Sequence, residues 1–142
     1  MYLVKIVENK KEYDDAFTVR TTVFVKEQGV PVHLELDEHD KTATHFIIYD
    51  HEQPIGAARL RIIENGVAKV ERVSILLPYR GKKLGVLIMN EIEKHAAHLV
   101  LHTLKLHAQS YAIPFYEKLG YTVTSPEFMD AGIPHRSMEK NI

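Results

Sequence analysis

The chain of 142 residues is 45% apolar and 26% charged, with a formal net charge of -1. It has no basic stripe of the kind nucleic-acid binders carry and no apolar run of about eighteen residues that would span a membrane. It also has no cysteine, which excludes disulfides, thiolate metal sites and a cysteine nucleophile. Met1-Tyr2-Leu3-Val4-Lys5 alternates like a strand and lacks the pattern of a signal peptide. Length predicts one domain over residues 1–142; a cytoplasmic location fits the lack of cysteine, and a monomer or homodimer is expected.

Tyr2 to Val7 reads as a strand and Lys11 to Lys26 as a helix, with Tyr13, Phe17 and Phe24 near one face. Gln28-Gly29-Val30-Pro31 ends that helix, since proline disfavours helix in the residue before it. The polar stretch His33 to Thr42 reads as a loop, its acidic part a solvated lid. Three strands follow, Ala43 to Tyr49, Ile55 to Ile63 and Val67 to Leu76, the last two joined by the hairpin signal Asn65-Gly66. A helix from Leu84 to Leu101 places Ile88, Ile92, Ala96 and Leu99 on one face, and Glu91, Lys94, His95 and His98 on another. His-x-x-His on a helix is not a zinc signature, so a solvated face is expected and no metal. Leu104 to Ala108 is a strand and Ala112 to Leu119 a short helix stopped by Gly120. Tyr121 to Thr124 and His135 to Glu139 are the last strands, with Ser125 to Pro134 between them. Early hairpins and a later crossover helix imply an α/β (α+β) fold: a mixed sheet of about six to seven strands with helices on both faces.

The most informative segment is Val70 to Gly85, where a strand enters a basic loop and then a long helix. The first turn of a helix has free N–H groups and attracts phosphate. Gly81 and Gly85 allow close backbone approach, and Arg80, Lys82 and Lys83 add positive charge. The loop is neither a Walker A sequence nor a Gly-x-Gly-x-x-Gly fingerprint.

Arg80-Gly81-Lys82-Lys83-Leu84-Gly85 resembles motif A of the GNAT acetyltransferase superfamily, with Lys83 in place of its middle glycine. Ala112-Ile113-Pro114-Phe115-Tyr116-Glu117-Lys118-Leu119-Gly120-Tyr121 resembles motif B, in the family's order and spacing. Arg20 to Pro31, followed by Glu35, Asp37 and Asp40, and Asp130 to His135 resemble its small ElaA-like, YjcF-like branch. The resemblance implies a sheet splayed at its centre, with acetyl-CoA in the opening. It implies that Val73 and Ile75 meet the acetyl carbonyl and pantetheine arm through backbone N–H groups, with Ser74 also in the cofactor site. It also implies that Gln109 lies near the cofactor, and that Tyr116 serves the departing thiolate.

Acetyl transfer to an amine needs removal of the amine proton, a polarised carbonyl and a proton for the thiolate. Glu71, on the strand that enters the loop, is the candidate base; simple alternation puts it on the face of Lys69, Val73 and Ile75. Arg20, Phe24, Gln28 and His135 are candidates to line the acceptor pocket. No serine sits in a nucleophile elbow, which favours direct transfer. The acceptor would be a small-molecule or protein amine. The alternative is a non-catalytic acyl-CoA-binding regulatory module. A third reading, as an acyl-homoserine-lactone synthase, fits less well, because those enzymes are longer.

Overall fold

Alternation of side chains sends successive strand residues to two different cores, and this organises the chain. In the strand around Phe46-Ile47-Ile48, Phe46 and Ile48 join one apolar cluster and Ile47 joins another. The computed structural model describes residues 1–142. Its strands are β1 (Tyr2–Ile6), β2 (Thr44–Asp50), β3 (Gln53–Glu64), β4 (Val67–Ile75), β5 (Thr103–Gln109), β6 (Thr122–Val123), β7 (Phe128–Asp130) and β8 (Ile133–Asn141). Its α-helices are α1 (Lys10–Arg20), α2 (Val32–Glu35), α3 (Leu84–His98) and α4 (Ile113–Lys118).

All eight strands form one open sheet in the order β1-β2-β3-β4-β5-β8-β6, with β7 also on β8. Only β4 and β5 are parallel, joined by the crossover through α3; the other pairs are antiparallel. The eighth strand, β7, falls inside the segment that reads as a connection in the sequence. Helix α1 packs Ala16 and Val19 against Ile47, Tyr49 and Ala57 on one face. Helix α3 buries Leu84, Ile88, Met89, Ile92 and Ala96 in the larger core on the other. No helix is long and apolar enough to cross a membrane.

Three local departures position the cavity described below. First, the helix expected to run to Lys26 is α-helical only to Arg20 and continues as a π-helix, Thr21–Glu27, with Gln28 N–H donating to Val23 O at 3.1 Å. Second, β4 carries a bulge. The pairs Arg59↔Glu71 and Ala57↔Ser74 leave Ala58 facing two residues, and Arg72 takes φ +60°. The extra residue reverses the alternation, so Val73 and Ile75 pack against the α3 core while Glu71 stays with Lys69 on the opposite face. Third, the β4–β5 ladder runs only from Val67↔Thr103 to Val70↔Leu106, although both strands continue. Beyond Leu106 the sheet is split.

The polar stretch from His33 to Thr42 is not a solvated loop. It folds as α2 and a 3-10 turn, Glu38–Lys41, closed by a reciprocal cap between Asp37 and Asp40. Glu35 and Asp40 are buried there.

Candidate active site

The loop between β4 and α3 is shaped by backbone conformation. A 3-10 turn, Leu77–Tyr79, leads into extended Arg80, then Gly81 at φ +80° and Lys83 at φ +62°. Lys83 is the residue that precedes α3, and no side chain caps that helix, so its first N–H groups have no side-chain partner. Lys83 adopts the left-handed conformation that favours glycine, and its side chain is exposed rather than crowding the loop. Nothing lies within 4 Å of where a Cβ on Gly81 would stand. Gly85 differs. A Cβ there would meet the Phe115 ring at 2.9 Å, so this glycine makes room for α4 rather than for a ligand. Lys82 Nζ lies 5.5 Å from the centre of the Tyr79 ring. Arg80 is not free: its guanidinium grips Glu27 at 2.6 and 2.7 Å, and its Nε donates to Ile75 O at 2.9 Å. That guanidinium holds the Glu27 carboxyl below its usual range.

The split in the sheet opens into a cavity of about 500 Å³. Its walls include Val73, Ser74 and Ile75 from β4, Arg80 and Gly85 from the loop and α3, and Tyr116 from α4. Glu71, also on β4, lines it too, and Phe24, Gln28, Gln109 and His135 close it from other elements. Gly81, Lys82, Lys83 and Leu84 lie outside this wall, at the helix start. Past Val70 the β5-facing edge of β4 has no ladder partner. Ser74 spends its hydroxyl on the bulge, donating to Arg72 O at 3.2 Å and Ala57 O at 3.4 Å.

Tyr116 makes no side-chain hydrogen bond within the protein, yet it lines the cavity. Burial, with the Tyr111 charge, raises its phenol above the ordinary value, so the group is held as a neutral donor. Gln109 does not cap the helix after it. Its amide donates to Gln28 Oε1 at 2.8 Å, a bond across the cavity between β5 and the end of the π-helix. His135 is buried, with Nδ1 2.7 Å from Ile133 O and its ring stacked on Phe128.

Two expected roles are corrected. Arg20 was expected in the acceptor pocket, but its side chain is wholly buried and does not reach the cavity. It donates to Glu35 at 2.7 Å and Asp40 at 2.7 Å, a requirement imposed by burying a guanidinium. Glu71 was expected to be the base. Its carboxylate is instead held by Arg59 at 2.9 Å, Arg61 at 3.1 Å and Lys69 at 3.4 Å. Burial alone would raise its pKa; the Arg61 hydrogen bond and the charges of Arg59, Lys69 and Arg61 outweigh that and bring it down to about 2. A carboxylate held so firmly is a poor proton acceptor at neutral pH.

These contacts belong to a network that sequence reasoning missed. Arg59 also binds Asp37 and Asp40 at 2.7 and 2.8 Å, and Arg72 binds Glu35 at 2.8 Å and Asp37 at 3.2 Å. The available signal was Arg59 itself, a lone charge within the apolar run Ile55 to Leu60. His107 was missed as well. It lines the cavity beside Phe128, and burial with the Lys69 charge lowers its pKa.

The profile of the Acetyltransferase (GNAT) domain matches residues 7–142. The chain is 45% identical to "Uncharacterized N-acetyltransferase YjcF" of Bacillus subtilis (strain 168), over 96% of this chain and 97% of that one. Among solved structures, an acyl-CoA N-acyltransferase from Pseudomonas aeruginosa superposes with TM-score 0.85 at 24% identity, covering 99% and 98% of the two chains. Escherichia coli ElaA superposes with TM-score 0.89 at 21% identity, covering 99% of each. The last two likenesses establish the fold.

Proposed function

The chain belongs to the GNAT acetyltransferase family, and we propose that it transfers an acetyl group from acetyl-CoA directly to a primary amine of a small molecule or protein. The observation that carries this reading is the split between β4 and β5, which joins an uncapped helix start to a cavity with a hydroxyl donor on its wall. The parts suit coenzyme A. The N–H groups at Gly81 to Gly85, with Lys82, Lys83 and, once it turns from Glu27, Arg80, would take the pyrophosphate. The unpaired edge at Val73 to Ile75 would take the pantetheine arm and polarise the carbonyl. When bound, acetyl-CoA supplies the activated acyl group.

Tyr116 then donates a hydrogen bond to the sulfur. Its raised pKa makes full proton release to a thiolate unfavourable, so stabilising developing charge is its contribution. Glu71 anchors the charged network at the acceptor side. Direct transfer is supported by the chemistry of the wall: Ser74 is its only serine, and that hydroxyl is tied to the bulge.

Isothermal titration with acetyl-CoA and with desulfo-CoA tests the reading. Both should bind, and the double reversal R80E/K82E should weaken each at least about tenfold, or about 1.4 kcal/mol. Thiol release in the presence of primary amines should follow. Failure of both CoA compounds to bind would refute the proposal. Binding without transfer to any amine would favour the regulatory module instead.

A further inference from the structure

His135 combines three properties that no other cavity-wall side chain shares. Its Nδ1 is 2.7 Å from Ile133 O, a contact that needs the proton on Nδ1 and leaves the Nε2 lone pair free. Its ring is fixed by stacking on Phe128, with centroids 6.0 Å apart and planes at 20°. Its Nε2 has no hydrogen-bond partner, yet it is not sealed in the core; the only buried side-chain polar atom without a partner is the Tyr121 hydroxyl. Since His135 lines the cavity, Nε2 opens into it. An immobilised imidazole with one nitrogen donating to a backbone carbonyl and the other facing a ligand cavity is the arrangement a general base requires.

We propose that His135 removes the proton from the acceptor amine. The assignment rests on the acetyl-transfer reading and supplies the base that Glu71 cannot provide. The ammonium gives a proton to Nε2, and the freed lone pair forms the N–C bond to the acetyl carbon. The C–S bond breaks with its electron pair left on sulfur, toward which Tyr116 directs its hydroxyl. The nitrogen loses two protons in all: one leaves on His135 and passes to solvent, and the other ends on the sulfur.

The groups around the ring fit this role. His135 is cross-strand from Gln109 on β5 and Phe128 on β7, and the ionisable groups on the surrounding wall are His107, Asp130, Lys69 and Glu71. His107 is the rival. It makes no hydrogen bond, so neither its tautomer nor its aim is fixed.

The test compares two acceptors: benzylamine, which is protonated at neutral pH, and hydroxylamine, which is not. The variant H135N keeps a donor for Ile133 O but removes Nε2, and H135Q serves as a second variant should the first melt early. We expect kcat/KM for benzylamine to fall about a hundredfold or more. Transfer to hydroxylamine and affinity for acetyl-CoA should stay close to wild type. Equal loss on both amines, no loss on either, or the selective loss appearing in H107Q instead would overturn the assignment. A wild-type protein that binds acetyl-CoA but acetylates neither amine would overturn the acetyl-transfer reading itself, and this assignment with it.

Discussion

Two tyrosines five positions apart on the chain place their hydroxyls in different surroundings. Tyr116 and Tyr121 pack ring to ring at 5.9 Å, both with phenols raised by burial. Tyr116 lines the cavity, while the Tyr121 hydroxyl is buried with no partner. A buried unsatisfied hydroxyl is unfavourable by about 1–3 kcal/mol, so Y121F should leave stability unchanged or raise it by about 1 kcal/mol, read in a denaturant melt. A loss above about 1 kcal/mol would show that the hydroxyl has a partner. The tyrosine of motif B could be read from the sequence because its spacing to Gly120 is fixed. The burial of Arg20 and the pairing of Glu71 could not, because each depends on partners from other elements: Glu35 and Asp40, 15 and 20 residues from Arg20, and Arg59 and Arg61, 12 and 10 residues from Glu71, are brought in by the fold.

At the level of elements, the period of apolar residues located most of the strands and α3, since packing on two cores imposes that period. It failed where one residue changes the geometry. The bulge at Arg72 and the turn at Lys83 use left-handed backbone at residues other than glycine, so composition gives no warning. The end of α3 shows the same thing. The helix stops at His98 and not at Leu101, leaving Leu99 exposed. Leu101 N–H bonds Ala96 O and Val100 N–H bonds Ala97 O, each at 3.0 Å. This is a Schellman motif with valine, at φ +60° and 85% exposed, where glycine is usual. A β-branched residue in that conformation is strained by about 1–2 kcal/mol. V100G should therefore raise the midpoint of unfolding by an amount corresponding to about 1 kcal/mol, with transfer activity unaltered. A destabilised V100G would contradict the strain.

Across the whole molecule, the buried charges tie α1, α2 and the Asp37–Asp40 turn to β3 and β4. Asp40 and Glu71 sit at about 2, where burial would raise them but the arginines outweigh it. Because both folded values lie below the unfolded ones, their stabilisation is full above about pH 5 and is lost as pH falls toward 2. Asp40 contributes about 2 kcal/mol and Glu71 about 3 kcal/mol. Glu35 is raised by burial despite Arg20 and Arg72, so it acts in the opposite sense and offsets part of this. Thermal melts should drop steeply between pH 5 and pH 3. Removing one partner, as in R20M, should destabilise by about 3–5 kcal/mol at pH 7, since it leaves Asp40 and Glu35 short of a cation. A flat acid limb in the wild type would mean that the network is solvated.

The hydrogen-bonded pair of side-chain amides, Gln28 and Gln109, spans the cavity and carries no charge. A neutral hydrogen bond of this kind contributes only about 1 kcal/mol. The crossing is therefore a neutral latch: no ion pair between β5 and the end of the π-helix has to be broken to part the two sides of the cleft there.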